Sequence, residues 1–129
     1  MNILIRHQNS ELRPEQKMVI DEFLKFHQRK VPLRNDIEVL FMGERLGRMT
    51  TGSRTDKRVL KILSRNRMLI DILRTLSHEL THQYQHENMN LDFSQDIGGK
   101  AENMANSVSG TMLKLFQKER PELMGIIYE

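Results

Sequence analysis

Residues 66–84 restrict this chain more than any other stretch. Leu69, Leu73, Leu76 and Leu80 recur at steps of three and four, which is one face of an α-helix. A helix with that stripe must press it against a core. Inside the same helix stands His78-Glu79-Leu80-Thr81-His82. Residues four apart on a helix lie one above the other, so His78 and His82 aim two imidazoles at one point, on a face beside the leucines. Glu79 lies one step around that surface. Two neutral imidazoles suit zinc, and a carboxylate beside such a metal can take a proton from its bound water. The pattern therefore carries a reaction as well as a binding site.

The chain around this helix reads as a single α+β domain spanning residues 1–129. Residues 1–9 form an arm or a short strand. Pro14 suits the first turn of a helix, where its missing N–H is no loss, and Val19, Ile20, Phe23, Leu24 and His27 then repeat at helical spacing. The spacing predicts a helix over about 14–29, ended by Val31-Pro32. His27 reads as a core or boundary histidine, because no acidic or histidine partner sits at ligand spacing.

Three short β-like segments follow: 37–42, 48–53 and 58–63, the last of which can also be read as a helix start. Their short connections predict a small, mainly antiparallel meander. After the central helix, a polar loop leads through Gly98-Gly99 to a last long helix over about 99–118. Its stripe is Ala101, Ala105, Val108, Met112 and Leu115, and the small residues Ala105, Ser109 and Gly110 favour close approach to a neighbour. Pro121 stops it, and Ile126-Ile127-Tyr128 reads as a strand or a docked tail.

Composition narrows the chemistry. There is no cysteine, so disulfides and thiolate zinc sites are excluded and any zinc is held by His, Asp or Glu. The apolar start is too short for a signal peptide and no run approaches a membrane span, so a soluble cytoplasmic protein is expected. Charge is uneven: residues 1–74 hold 16 Lys/Arg against 9 Asp/Glu, and residues 75–129 hold 4 against 8. Arg54, Lys57, Arg58, Lys61, Arg65 and Arg67 form a basic cluster that can face phosphate or an acidic partner, or simply solvent. No aromatic residues interleave with it, which argues against base stacking.

A catalytic zinc site needs a third protein ligand. His86 pairs with His82 at helical spacing but lies eight residues from His78, about 12 Å along the axis, so one ion cannot take all three. Asp92 and Asp96 sit in the loop. Glu102 stands in the first turns of the following helix, and two antiparallel helices bring it opposite His78 and His82. That makes Glu102 the preferred third ligand, although an acidic residue at a helix N-terminus is also favoured by the dipole alone.

Taken together, His78-Glu79-Leu80-Thr81-His82 and Glu102-Asn103-Met104-Ala105-Asn106 resemble the gluzincin metallopeptidases, most of all the minimal minigluzincin, ImmA/IrrE-like and SprT-like group. The resemblance covers roughly residues 37–116, and its specific part is the two short motifs. It implies a zincin-like fold and a single zinc ion held by His78, His82 and Glu102. It also implies hydrolysis of a peptide bond with Glu79 as general base. ImmA-like relatives cleave repressors and SprT-like relatives act on proteins at DNA, so a particular protein or peptide is the implied substrate. The family often places an acid four residues after its glutamate ligand, to orient the first histidine; here that position is Asn106.

An edge strand of the sheet can bind an extended substrate by main-chain pairing. The donor for a developing oxyanion is left open among Tyr84, His86, Tyr128, His7 and the arginines. A competing reading is a non-enzymatic protein that binds zinc, or a protein or nucleic-acid partner through the basic N-terminal half.

Overall fold

The computed structural model describes residues 1–44, 51–54, 58–89 and 99–129. In chain order they form β1 (Ile3–Gln8), α1 (Pro14–Lys30), β2 (Ile37–Met42), β3 (Gly52–Arg54), β4 (Val59–Leu63), α2 (Leu69–Met89) and α3 (Lys100–Glu119). A 3-10 turn, Pro121–Leu123, and the single helical turn α4 (Met124–Ile127) close the chain. The class is α+β, as the alternating and helical periodicities predict.

Local chemistry explains where the first helix starts and stops. Pro14 opens α1, and Gln16 Oε1 reaches back 2.9 Å to accept from the Arg13 N–H. The Val31 N–H closes the far end on His27 O at 2.7 Å. Val19, Ile20, Phe23, Leu24, Phe26 and His27 are its buried face.

The sheet corrects the expected meander. Its order is β1-β2-β4-β3; β1–β2 and β2–β4 are parallel, and the antiparallel pair is β3–β4. Two physical causes account for this. The seventeen-residue α1 carries the chain back across the sheet after β1, and a helical crossover returns the next strand parallel. The two most apolar strands, β2 and β4, then take the centre. Gly52-Ser53-Arg54 is short and polar, so β3 is left at the edge beyond β4. The reading of 58–63 as a strand holds; part of the segment 48–53 lies outside the described residues.

Strand alternation marks one buried face. Ile37, Val39, Phe41, Leu60 and Ile62 are buried, whereas Glu38, Leu40, Val59 and Lys61 are half-exposed. The buried side joins α1, α2 and α3 in one core, where Phe116 stands edge-on to Phe23 at 5.2 Å and to Phe26 at 5.4 Å. The leucine stripe of α2 is fully inside.

On α3 the buried face is turned relative to expectation. Leu113 and Phe116 are buried while Leu115 is 38% exposed, and a Cβ at Gly110 would meet nothing within 4 Å. Ala105 and Ser109 are the small residues that lie inside. The tail is docked rather than a strand, with Ile127 buried. No helix among the described residues is long and apolar enough to cross a membrane.

His27 joins α1 to α2. It is fully buried, and its Nε2 lies 2.8 Å from Oγ of Ser77, the residue before His78. Burial lowers its pKa from 6.5 to about 4. The unfolded chain therefore takes up a proton at this residue, below its ordinary pKa, that the native core refuses. This contribution to stability is complete above pH 6.5 and is lost as pH falls toward 4. At about pH 5.5 the loss is about 1.4 kcal/mol. Urea unfolding of the metal-free protein at about pH 7.5 and about pH 5.5 checks this. The acid-induced loss should be smaller by about that amount in His27→Gln. Equal losses in the two proteins would contradict it.

Candidate metal centre

The site is built by two antiparallel-packed helices and the edge of the sheet. The buried leucines hold α2 against the core, so the helix presents His78 and His82 to one side without freedom to rotate. Gly99 begins α3 in the left-handed region, at φ 72°, a conformation that favours glycine. Glu102 follows in the first turn.

These placements bring the three expected ligands together. Glu102 Oε1 lies 2.8 Å from His82 Nε2, and Glu102 Oε2 lies 3.3 Å from His78 Nε2. The two imidazole Nε2 atoms are 3.0 Å apart. One donor atom from each residue falls within 4.8 Å of the others, so this His-His-Glu group can hold a metal ion. His82 is the deepest, with a side chain 2% exposed against 19% for His78 and 44% for Glu102. Burial holds the His82 pKa below the usual histidine range, opposed by its hydrogen bond to Gln85.

Gln85 was not singled out by the sequence. Its Oε1 lies 2.8 Å from His82 Nδ1, and its Nε2 donates to Ala101 O at 3.0 Å. The signal that could have found it is a polar residue three after the second histidine, on a helix face that is buried. Asn106, where the resemblance suggested an orienting group, is exposed and lines the cleft beside His78.

That cleft has a volume of about 300 Å³ and is walled by Thr51, Gly52, Arg74, Thr75, His78, Glu79 and Asn106. Glu79 is buried at 6% exposure beside the β3 edge. The contact with Gly52 is close: a Cβ there would come within 2.6 Å of Thr75 Cγ2 and 3.2 Å of Glu79 Cγ. Glycine is thus what lets the edge strand approach the proposed base. Thr75 Oγ1 is itself held by Arg67 Nη2 at 2.9 Å.

The other candidates lie elsewhere. His86 is exposed near the end of α2, and Tyr84 packs against the core. Tyr128 donates its hydroxyl to Gln117 Oε1 at 3.0 Å. His7 lies on β1, at the opposite edge of the sheet from β3, and stacks on Phe41 of β2. Asp92 and Asp96 fall outside the described residues. The basic cluster is less uniform than its sequence suggests. Arg67 is committed to Leu63 O, Asp71 O and Thr75, and Arg65 pairs with Glu11 at 3.4 Å. Arg58 is exposed and Lys61 half-exposed; Lys57 and the Arg54 side chain lie outside what is described.

No protein family, curated protein or solved structure was found to match this chain.

Proposed function

We propose that this protein is a zinc-dependent peptidase of the gluzincin type, selective for a particular protein. The observation that carries this reading is the convergence of His78 Nε2, His82 Nε2 and the Glu102 carboxylate, with the buried carboxylate of Glu79 on the adjoining face. The donor set favours zinc: two imidazoles and a carboxylate, in a chain without cysteine. The hydrogen-bond geometry favours a positive charge between His82 and Glu102. Gln85 Oε1 can only accept, so His82 carries its proton on Nδ1 and, when neutral, turns a bare Nε2 toward Glu102. A lone pair 2.8 Å from a carboxylate oxygen is repulsive unless a cation or proton lies between them.

His78, His82 and Glu102 would hold the ion, and zinc bound there supplies a Lewis acid that acidifies water and polarises a carbonyl. Glu79 then acts as the base. Its carboxylate takes the proton of the attacking water and returns it to the departing amine nitrogen. The Glu79 side chain packs beside Gly52 and lines the cleft. β3, at the sheet edge on the same side, offers main-chain groups to an extended peptide. Arg74 and Asn106 on the cleft wall can meet polar parts of it.

A quenched-peptide library with the purified chain tests the assignment. Cleavage should be lost on chelation and return on adding stoichiometric zinc. Cleavage that survives full metal removal would rule out this mechanism.

A further inference from the structure

We propose that Gln85 is a positioning residue for this metal centre, bridging the ring of His82 to the backbone of the helix that carries Glu102. The inference rests on the metal-binding reading above. A chain of hydrogen bonds of fixed polarity links the two helices. The Ala101 carbonyl can only accept, so the Gln85 nitrogen must face it, at 3.0 Å. The Gln85 oxygen is thereby turned to His82 Nδ1, at 2.8 Å, where it too can only accept. His82 Nδ1 therefore carries a hydrogen. In the neutral ring Nε2 is then bare, and that is the atom facing His78 and Glu102.

Burial makes this bridge hard to replace. Gln85 is 1% exposed, and His82 and Ala101 are each 3% exposed, so water has little access to substitute for the amide. The bridge also spans the two halves of the site. His82 belongs to α2, whereas Ala101 precedes the third ligand, Glu102, on α3. One side chain thus sets the tautomer of one ligand and the distance to the element bearing another. The ligands are held in place before any ion arrives.

The experiment uses the full chain, with the ring nitrogens of histidine observed by ¹⁵N NMR in the metal-free protein at about pH 8. Zinc affinity is measured alongside by chelator competition. The His82 signal is assigned by its loss in His82→Asn. Wild type should show His82 protonated on Nδ1. Gln85→Leu, which keeps the bulk and removes the acceptor, should release the ring toward the Nε2–H form and weaken zinc binding about 10–100-fold.

Gln85→Glu keeps an accepting oxygen at Nδ1, either as the carboxylate or as a neutral carboxyl whose hydroxyl takes the place of the amide in donating to the Ala101 carbonyl, so it should retain the Nδ1–H of the wild type. If Gln85→Leu does not fold, this variant decides: Nδ1–H retained supports the proposal, and Nε2–H overturns it. A wild-type ring protonated on Nε2 also overturns it, as does unchanged zinc affinity in a folded Gln85→Leu. The two readings fail differently. Wild type that binds no zinc overturns the metal reading, and the positioning role with it. Zinc affinity indifferent to Gln85→Leu overturns the positioning role alone.

Discussion

Glu79→Gln should lower peptide cleavage by about 10²–10⁴-fold and leave bound zinc in place. The amide matches the carboxylate in size, so it fits the space between α2 and Gly52 that the glutamate fills. What it loses is the capacity to take a proton. Glu79 is outside the converging group of His78, His82 and Glu102, so the change does not remove a ligand. Turnover measured beside metal content separates the roles: retained zinc with lost turnover identifies a base. Turnover within threefold of wild type would mean that the base is another residue. Loss of both would mean that Glu79 holds the centre together.

A second large effect is expected in His82→Ala. Excess zinc should raise the melting temperature of the wild type by roughly 10 °C or more at about 1,000 times Kd, because ligation adds about 4 kcal/mol to the folded state. In His82→Ala the zinc-induced shift should vanish. The metal-free variant will itself be less stable, because the truncation opens a cavity and leaves Gln85 Oε1 without its donor. The quantity to compare is therefore the shift on adding zinc, not the melting temperature. A full shift in His82→Ala would place the ion elsewhere on the chain.

The parts of this site legible in the sequence were those set by helical period. Leucines at steps of three and four fix which side of α2 is buried, and two histidines four apart must then share a face. Glu102 could be reached because two successive amphipathic helices that pack antiparallel bring the start of one beside the end of the other. The sheet was less legible. Strand order depends on which strands find each other across α1 and on β4 displacing β3 from β2, and short connections say little about either.

Three further features depend on three-dimensional placement. Arg67, counted with a basic surface, turns inward to two backbone carbonyls and Thr75. Gln85 gains its importance from a backbone carbonyl sixteen residues away. On α3, burial favours Phe116 over Leu115 because the phenyl ring completes an aromatic cluster with Phe23 and Phe26. Periodicity alone ranks the two positions only by angle.

If His78, His82 and Glu102 hold one metal ion between them, removing one of them should release it. The direct test is zinc content after loading with one equivalent and extensive dialysis, for wild type beside Glu102→Ala. Glu102 is the most exposed of the three ligands, with a side chain 44% exposed, so removing it should disturb the core least. One zinc per wild-type chain is expected, and little or none in a folded Glu102→Ala. A wild type that retains no zinc, or a Glu102→Ala protein that retains it in full, would contradict that assignment.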